Sequence, residues 1–87
     1  MGVYRIRLKK SAAKEIDRLP DRQDRRRIVD CIEALAANPR PQGCEKLAGQ
    51  TNRYRIRQGR YRIVYSIEDT ILTVFIIRVA DRKDVYR

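Results

Sequence analysis

The chain has 87 residues, with 21 Lys and Arg against 11 Asp and Glu, a net charge of +10, and no histidine. The missing imidazole excludes Ser-His-Asp and Cys-His nucleophiles and most zinc sites. The charge calls for an anionic partner: nucleic acid, an anionic membrane surface or an acidic protein.

A chain of this length is expected to form one domain over residues 1–87, with a small core. No apolar run approaches the ~20 residues of a membrane span, and the opening MGVYRIRLKK lacks the apolar stretch of a signal peptide. Cys31 and Cys44 have no metal-ligand spacing. The expectation is a cytoplasmic protein with reduced thiols and neither metal, cofactor nor membrane segment.

Val3 to Lys9 alternates, with Tyr4, Ile6 and Leu8 inward and Val3, Arg5, Arg7 and Lys9 outward, which predicts a strand. Ser11 is placed to cap a short helix carrying Ala12, Ile16 and Leu19 and stopping at Pro20. Asp21 caps a second helix, with Asp24 at its positive end and Ile28, Ile32 and Leu35 as its buried stripe. Arg22, Arg25, Arg26 and Arg27 read as its solvated face, or else as an accessory phosphate contact. Asn38-Pro39 ends that helix. Residues 40–52, with Pro41, Gly43, Gly49 and Asn52, read as loop, anchored by Leu47.

The most informative stretch is RYRIRQGRYRIVYSI, residues 53–67. Two alternating runs flank Gln58-Gly59, which predicts a tight hairpin with Arg57 opposite Arg60, Ile56 opposite Tyr61 and Arg55 opposite Arg62. Tyr54, Ile56, Tyr61, Ile63 and Tyr65 then enter the core, and the arginines share the other face. Like charges facing each other across a strand pair destabilise it by up to about 1 kcal/mol. The face is therefore either an Arg-rich solvated surface or a surface built to hold a polyanion. A turn at Glu68-Asp69-Thr70 precedes ILTVFIIRV, residues 71–79, apolar on both parities and hence expected to be internal and covered on both sides. The order β-α-α-β-β-β predicts an α+β fold, an antiparallel sheet with a helix pair on one face and the arginines on the open one.

Three segments in this order resemble the RelE-type toxins of the RelE/ParE superfamily: Tyr54-Arg55-Ile56-Arg57, Gly59-Arg60-Tyr61-Arg62-Ile63-Val64-Tyr65, and Val79-Ala80-Asp81-Arg82-Lys83-Asp84-Val85-Tyr86. Leu47-Ala48-Gly49 resembles the family's Leu-x-Gly before the hairpin. The resemblance implies the RelE-like, microbial ribonuclease-type fold and a toxin of a type II toxin–antitoxin module. It also implies a ribosome-dependent endoribonuclease that cleaves mRNA in the ribosomal A site. By position, the catalytic set it implies is Arg55, Arg57, Arg62, Arg82 and Tyr86; Arg53, Arg60 and Lys83 are further candidate substrate-binding cations beside them. Its implied partners are a cognate antitoxin, in a hetero-oligomer, and the ribosome with its mRNA.

The chemistry fits those residue types. RNA cleaves when its 2′-OH attacks the neighbouring phosphate, and a protein without a metal can orient that attack and stabilise the added charge. Arg62 and Arg82 suit the charge, Arg55 and Arg57 the backbone, and Tyr86 a base or a proton. The family often has lysine at one or both of the positions of Arg55 and Arg57, and Gly-His before the arginine matching Arg82. Here arginine cannot serve as a base, and Ala80-Asp81 puts an acid beside Arg82. Asp81 is then either a proton acceptor or a turn residue paired with Arg82 or Lys83. Two other functions stay open: a ParE-like inhibitor of DNA gyrase with the same fold, and a basic RNA-binding module without activity.

Overall fold

A computed structural model describes residues 3–81. The chain runs β1 (Arg5–Leu8), α1 (Lys10–Asp17), α2 (Arg22–Ala34), β2 (Glu45–Lys46), β3 (Arg53–Gln58), β4 (Tyr61–Glu68) and β5 (Thr73–Asp81). These strands form one sheet in the order β1-β5-β4-β3-β2. The α+β class and the helix pair on one sheet face are as expected. The sheet is mixed rather than antiparallel, because β1 pairs with β5 in parallel. Alternation marks faces but not direction; β2 enters at the far edge, and three successive reversals leave β5 running the same way as β1. β2 itself lies in the stretch expected to be loop.

α1 starts one residue before the expected cap. The Lys9 N–H donates to the Ile76 carbonyl at 2.9 Å, so strand pairing runs up to the helix. Lys9 then occupies the cap position without a side-chain bond, and Ser11 lies inside the first turn. Asp21 caps α2 as expected, its Oδ1 accepting from the Gln23 N–H at 2.7 Å and the Asp24 N–H at 3.4 Å. α2 ends at Ala34, ahead of Asn38-Pro39, and the Ala36 carbonyl beyond it accepts from the Tyr4 N–H at 2.8 Å.

The core joins Ala12, Ile16, Leu19, Ile28, Ile32 and Leu35 from the helical layer to Tyr61, Ile63, Tyr65 and Ile67 of β4 and Val74, Ile76 and Val79 of β5. Tyr65 is fully buried, and its hydroxyl donates to the Pro39 carbonyl at 2.9 Å. Tyr54, half-buried, stacks on it with ring centroids 6.0 Å apart.

β5 is internal, as its composition required, but it is not covered on both sides: Phe75 is exposed and Ile77 only half-buried. A bulge accounts for the apolar run on both parities. Val64 pairs with Arg78 and Tyr65 with Ile76, leaving Ile77 extra. The inward phase therefore slips from Val74 and Ile76 to Val79. Two residues past the bulge, the Val79 N–H donates to Glu15 Oε1 of α1 at 2.8 Å. The expected start of this strand also shifts: Asp69–Ile71 form a short 3-10 turn and Leu72 takes a left-handed backbone before β5 begins.

Candidate nucleic-acid interface

The candidate interface rests on the β3–β4 hairpin, whose register differs from the expected one by two residues. Arg57 pairs with Arg62, Gln58 with Tyr61, Ile56 with Ile63 and Arg55 with Val64. The central turn residues are Gly59 and Arg60, not Gln58 and Gly59. Gly59 has φ +61, and a positive φ confined to the first central position is the II′ pattern that suits a two-residue hairpin. An even shift keeps every side chain on its face. Tyr54, Ile56, Tyr61, Ile63 and Tyr65 remain on the core side, and Arg53, Arg55, Arg57 and Arg62 on the other. What changes is the charge pairing: one Arg–Arg pair, Arg57 with Arg62, replaces the two expected.

The four arginines of this face have different surroundings. Arg55 turns toward the sheet edge, where its Nη2 meets Glu45 Oε2 of β2 at 2.8 Å. That contact holds the Glu45 carboxyl below its ordinary range. Arg53 and Arg57 are exposed and have no ion-pair partner among the described residues. Arg62, opposite Ala80, is only 3% exposed, so the face is not uniformly open. A guanidinium keeps its proton even when buried, so this is a held positive charge. Arg5 and Arg7 of β1 extend the same face: they lie beside Thr73 and Phe75, which pair with Glu68 and Ser66.

Arg60 lies in the turn, away from that row. Its Nε and Nη2 both reach Asp81 Oδ2, at 2.9 and 2.7 Å, and its guanidinium carbon sits 5.8 Å from the Tyr61 ring centre. The structure thus gives Asp81 a cationic partner that the sequence reading did not consider. In α2, Arg22, Arg26 and Arg27 are exposed as expected of a solvated face. Arg25 is half-buried and donates to the Leu19 carbonyl at 3.2 Å. Arg82, Lys83 and Tyr86 lie outside the described residues.

Glu45 was missed because β2 has two residues, too few for any alternation to register. Arg5 and Arg7 were assigned outward, but only the parallel β1–β5 pairing joins them to the hairpin's arginines. The assembled surface carries fixed cations in a row, and Arg5, Arg7, Arg53 and Arg57 have no ion-pair partner among the described residues, which suits phosphates spaced along a strand.

The model of the ParE toxin of type II toxin–antitoxin systems, parDE, matches residues 6–86. The chain belongs to this family of toxins, within the RelE/ParE superfamily. Toxin RelG of Mycobacterium tuberculosis is 30% identical over 84 residues, covering 97% of each chain. Toxin RelE of the same organism is 30% identical over 84 residues, covering 97% of this chain and 87% of its own. Among solved structures, the archaeal RelE–RelB complex from Pyrococcus horikoshii superposes with a TM-score of 0.81 at 28% identity, covering 92% of this chain and 96% of that one. The intact E. coli RelBE toxin–antitoxin complex gives 0.78 at 28% identity, covering 90% and 95%.

Proposed function

We propose that this toxin is a ribosome-dependent endoribonuclease that cleaves mRNA by attack of the 2′-OH on the adjacent phosphate. The observation that carries the reading is the cross-strand pair Arg57–Arg62, a fixed double cation on the sheet face away from the helices. The relatives named RelE and RelG support it. Arg53 and Arg57 hold the RNA backbone, Arg55 flanks them from its contact with Glu45, and Arg62 stabilises the negative charge that builds on the phosphorane. Arg82 is assigned to the same charge and Tyr86 to the base or the leaving oxygen, by their positions in the family pattern. Because Arg62 is buried in the free chain, engagement of the ribosome must uncover it. The partner that restrains the toxin is a RelB-type antitoxin, as in the complexes it superposes on, with acidic residues answering the arginine face.

The test is a purified translation reaction with mapping of new mRNA ends. Codon-periodic cuts by the parent, and a loss of about 10²–10³ in cleavage rate for Arg62→Ala with ribosome binding largely kept, are expected when one charge-stabilising donor is removed. Equal cleavage by Arg62→Ala at equal folded amount would remove Arg62 from the chemistry. The matched family's ParE description favours a second reading, inhibition of DNA gyrase. DNA breakage with intact mRNA would select it.

A further inference from the structure

Phe75 stands on the open face of the sheet, 37% exposed, while its chain neighbours Val74 and Ile76 are fully buried in the core on the other side. β5 lies between β1 and β4, so pairing along both edges fixes the backbone beneath the ring. The register puts Phe75 in one row across four strands: Arg7 of β1, Phe75 of β5, Ser66 of β4 and Arg53 of β3. Residues in register share a face of the sheet. Arg7 and Arg53 are exposed and have no ion-pair partner among the described residues. Adjacent strands lie ~4.8 Å apart, so the two cations end a row roughly 14 Å long with the ring inside it. Ser66, between Phe75 and Arg53, is small and half-buried, and the row holds no acid. Among the described residues the ring stacks on no other ring and on no cation.

A single exposed apolar residue is ordinary on a protein surface. An aromatic ring held on a rigid strand between two unpaired guanidinium groups is not, because it offers a π-face for a base beside donors for the phosphates. The ring also has only two torsions to order when something covers it, so the entropic cost of contact is small. We propose that Phe75 is a base-stacking platform for single-stranded RNA: a base lies on its ring, and Arg7 and Arg53 take the phosphates on either side of that base. The inference rests on RNA being the substrate, as in the nuclease reading, and adds a contact with a base to a face otherwise made of backbone contacts. Every base has a π-face, so the platform tolerates sequence. In a duplex those faces are already stacked on one another, so the platform selects unpaired RNA.

The test measures the affinity of the whole protein for two polyanions: an adenine octanucleotide, and inorganic polyphosphate, which has the charge but no bases. Phe75→Ala is expected to weaken the octanucleotide about 5- to 150-fold, the effect of losing one stacked base. Its affinity for polyphosphate, and its salt slope for RNA, are expected to match the parent's, because no phosphate contact is lost. Phe75→Leu, apolar but without a π-face, is expected to behave like Phe75→Ala, whereas Arg53→Ala is expected to weaken both ligands. The parent has no tryptophan, so Phe75→Trp introduces a single fluorophore. Its emission is expected to be quenched at saturation by the octanucleotide and not by polyphosphate. Parental RNA affinity in Phe75→Ala, an equal loss for polyphosphate, or unquenched Phe75→Trp emission at saturation would overturn the proposal, while cleavage of mRNA on ribosomes by the parent would keep the nuclease reading. Antitoxin binding lost in Phe75→Ala with octanucleotide affinity intact would also overturn it and assign the ring to a protein contact. Should the parent cut no mRNA, the nuclease reading fails instead, and the tryptophan quench still decides whether the ring stacks on a base.

Discussion

Asp69 is the residue around which the end of the molecule away from the hairpin turn is tied. It accepts from the Tyr4 hydroxyl at 2.6 Å and from Arg40 Nη1 and Nη2 at 3.3 and 2.9 Å, and Arg40 in turn lies 5.3 Å from the Tyr54 ring centre. Arg40 first, then Tyr4, holds the Asp69 carboxyl below its ordinary range. The unfolded chain has no such partners, so its carboxyl titrates at the ordinary value. The contribution to stability is therefore complete above the ordinary carboxylate range and is lost as pH falls through the lowered folded value. Because the group is exposed, the effect is a modest slope rather than a transition. Thermal melts from pH 7 down to pH 3 are expected to fall less steeply on the acid side for Asp69→Asn than for the parent. Parallel curves would show that the cluster forms without lowering that carboxyl.

At the scale of elements, β5 depends on one side chain from α1. β1 pairs with β5 only as far as Ile76, and beyond it Glu15 Oε1 takes the Val79 N–H at 2.8 Å while Val79 itself is buried. Glu15→Ala removes that acceptor, and a buried donor left unsatisfied costs about 1–3 kcal/mol. A urea titration is expected to show a lower midpoint with an unchanged slope; an unchanged midpoint would mean that water or another group replaces the carboxylate. The bulge in this strand shows what sequence could and could not convey. Alternation in Val3–Lys9 and in the hairpin identified faces, because period two survives any even shift in register, but Leu8, expected inward, is 42% exposed at the end of β1. Alternation could not tell Gln58-Gly59 from Gly59-Arg60 as the turn, since Gly serves at either position and both choices preserve the faces. The apolar run Ile71–Val79 was taken as two covered faces. In the fold it is an inward phase at Val74 and Ile76, a bulge at Ile77 that shifts that phase to Val79, and an exposed Phe75. Asp21 and the stripe Ile28, Ile32, Leu35 were legible because capping and helical spacing are local. Glu45 against Arg55 and Asp81 against Arg60 were not, because each joins segments that only the sheet brings together.

Over the whole molecule, a charge of +10 on 87 residues makes attraction to polyanions unavoidable, so binding alone says little about chemistry. Salt separates the two roles. Each phosphate neutralised on a nucleic acid contributes about −0.7 to −0.9 to the slope of log K against log salt. Arg53 and Arg57, exposed and without ion-pair partners among the described residues, are placed to make such contacts, as are Arg5 and Arg7 on the same face. The affinity of the protein for a single-stranded RNA is expected to fall steeply with salt, with a slope of roughly −2 to −4 for three to five phosphates. Arg57→Ala is expected to make that slope shallower by about 1 and to weaken all RNA sequences alike, the signature of a backbone contact. Arg60→Ala is expected to leave the slope unchanged, because that cation is already occupied by Asp81. Arg62 is buried, so Arg62→Ala should also leave the slope for free RNA unchanged while lowering cleavage on the ribosome. A slope reduced equally by Arg57→Ala, Arg60→Ala and Arg62→Ala would instead mean a diffuse cationic surface, on which the contacts of individual arginines do not govern which phosphates they meet.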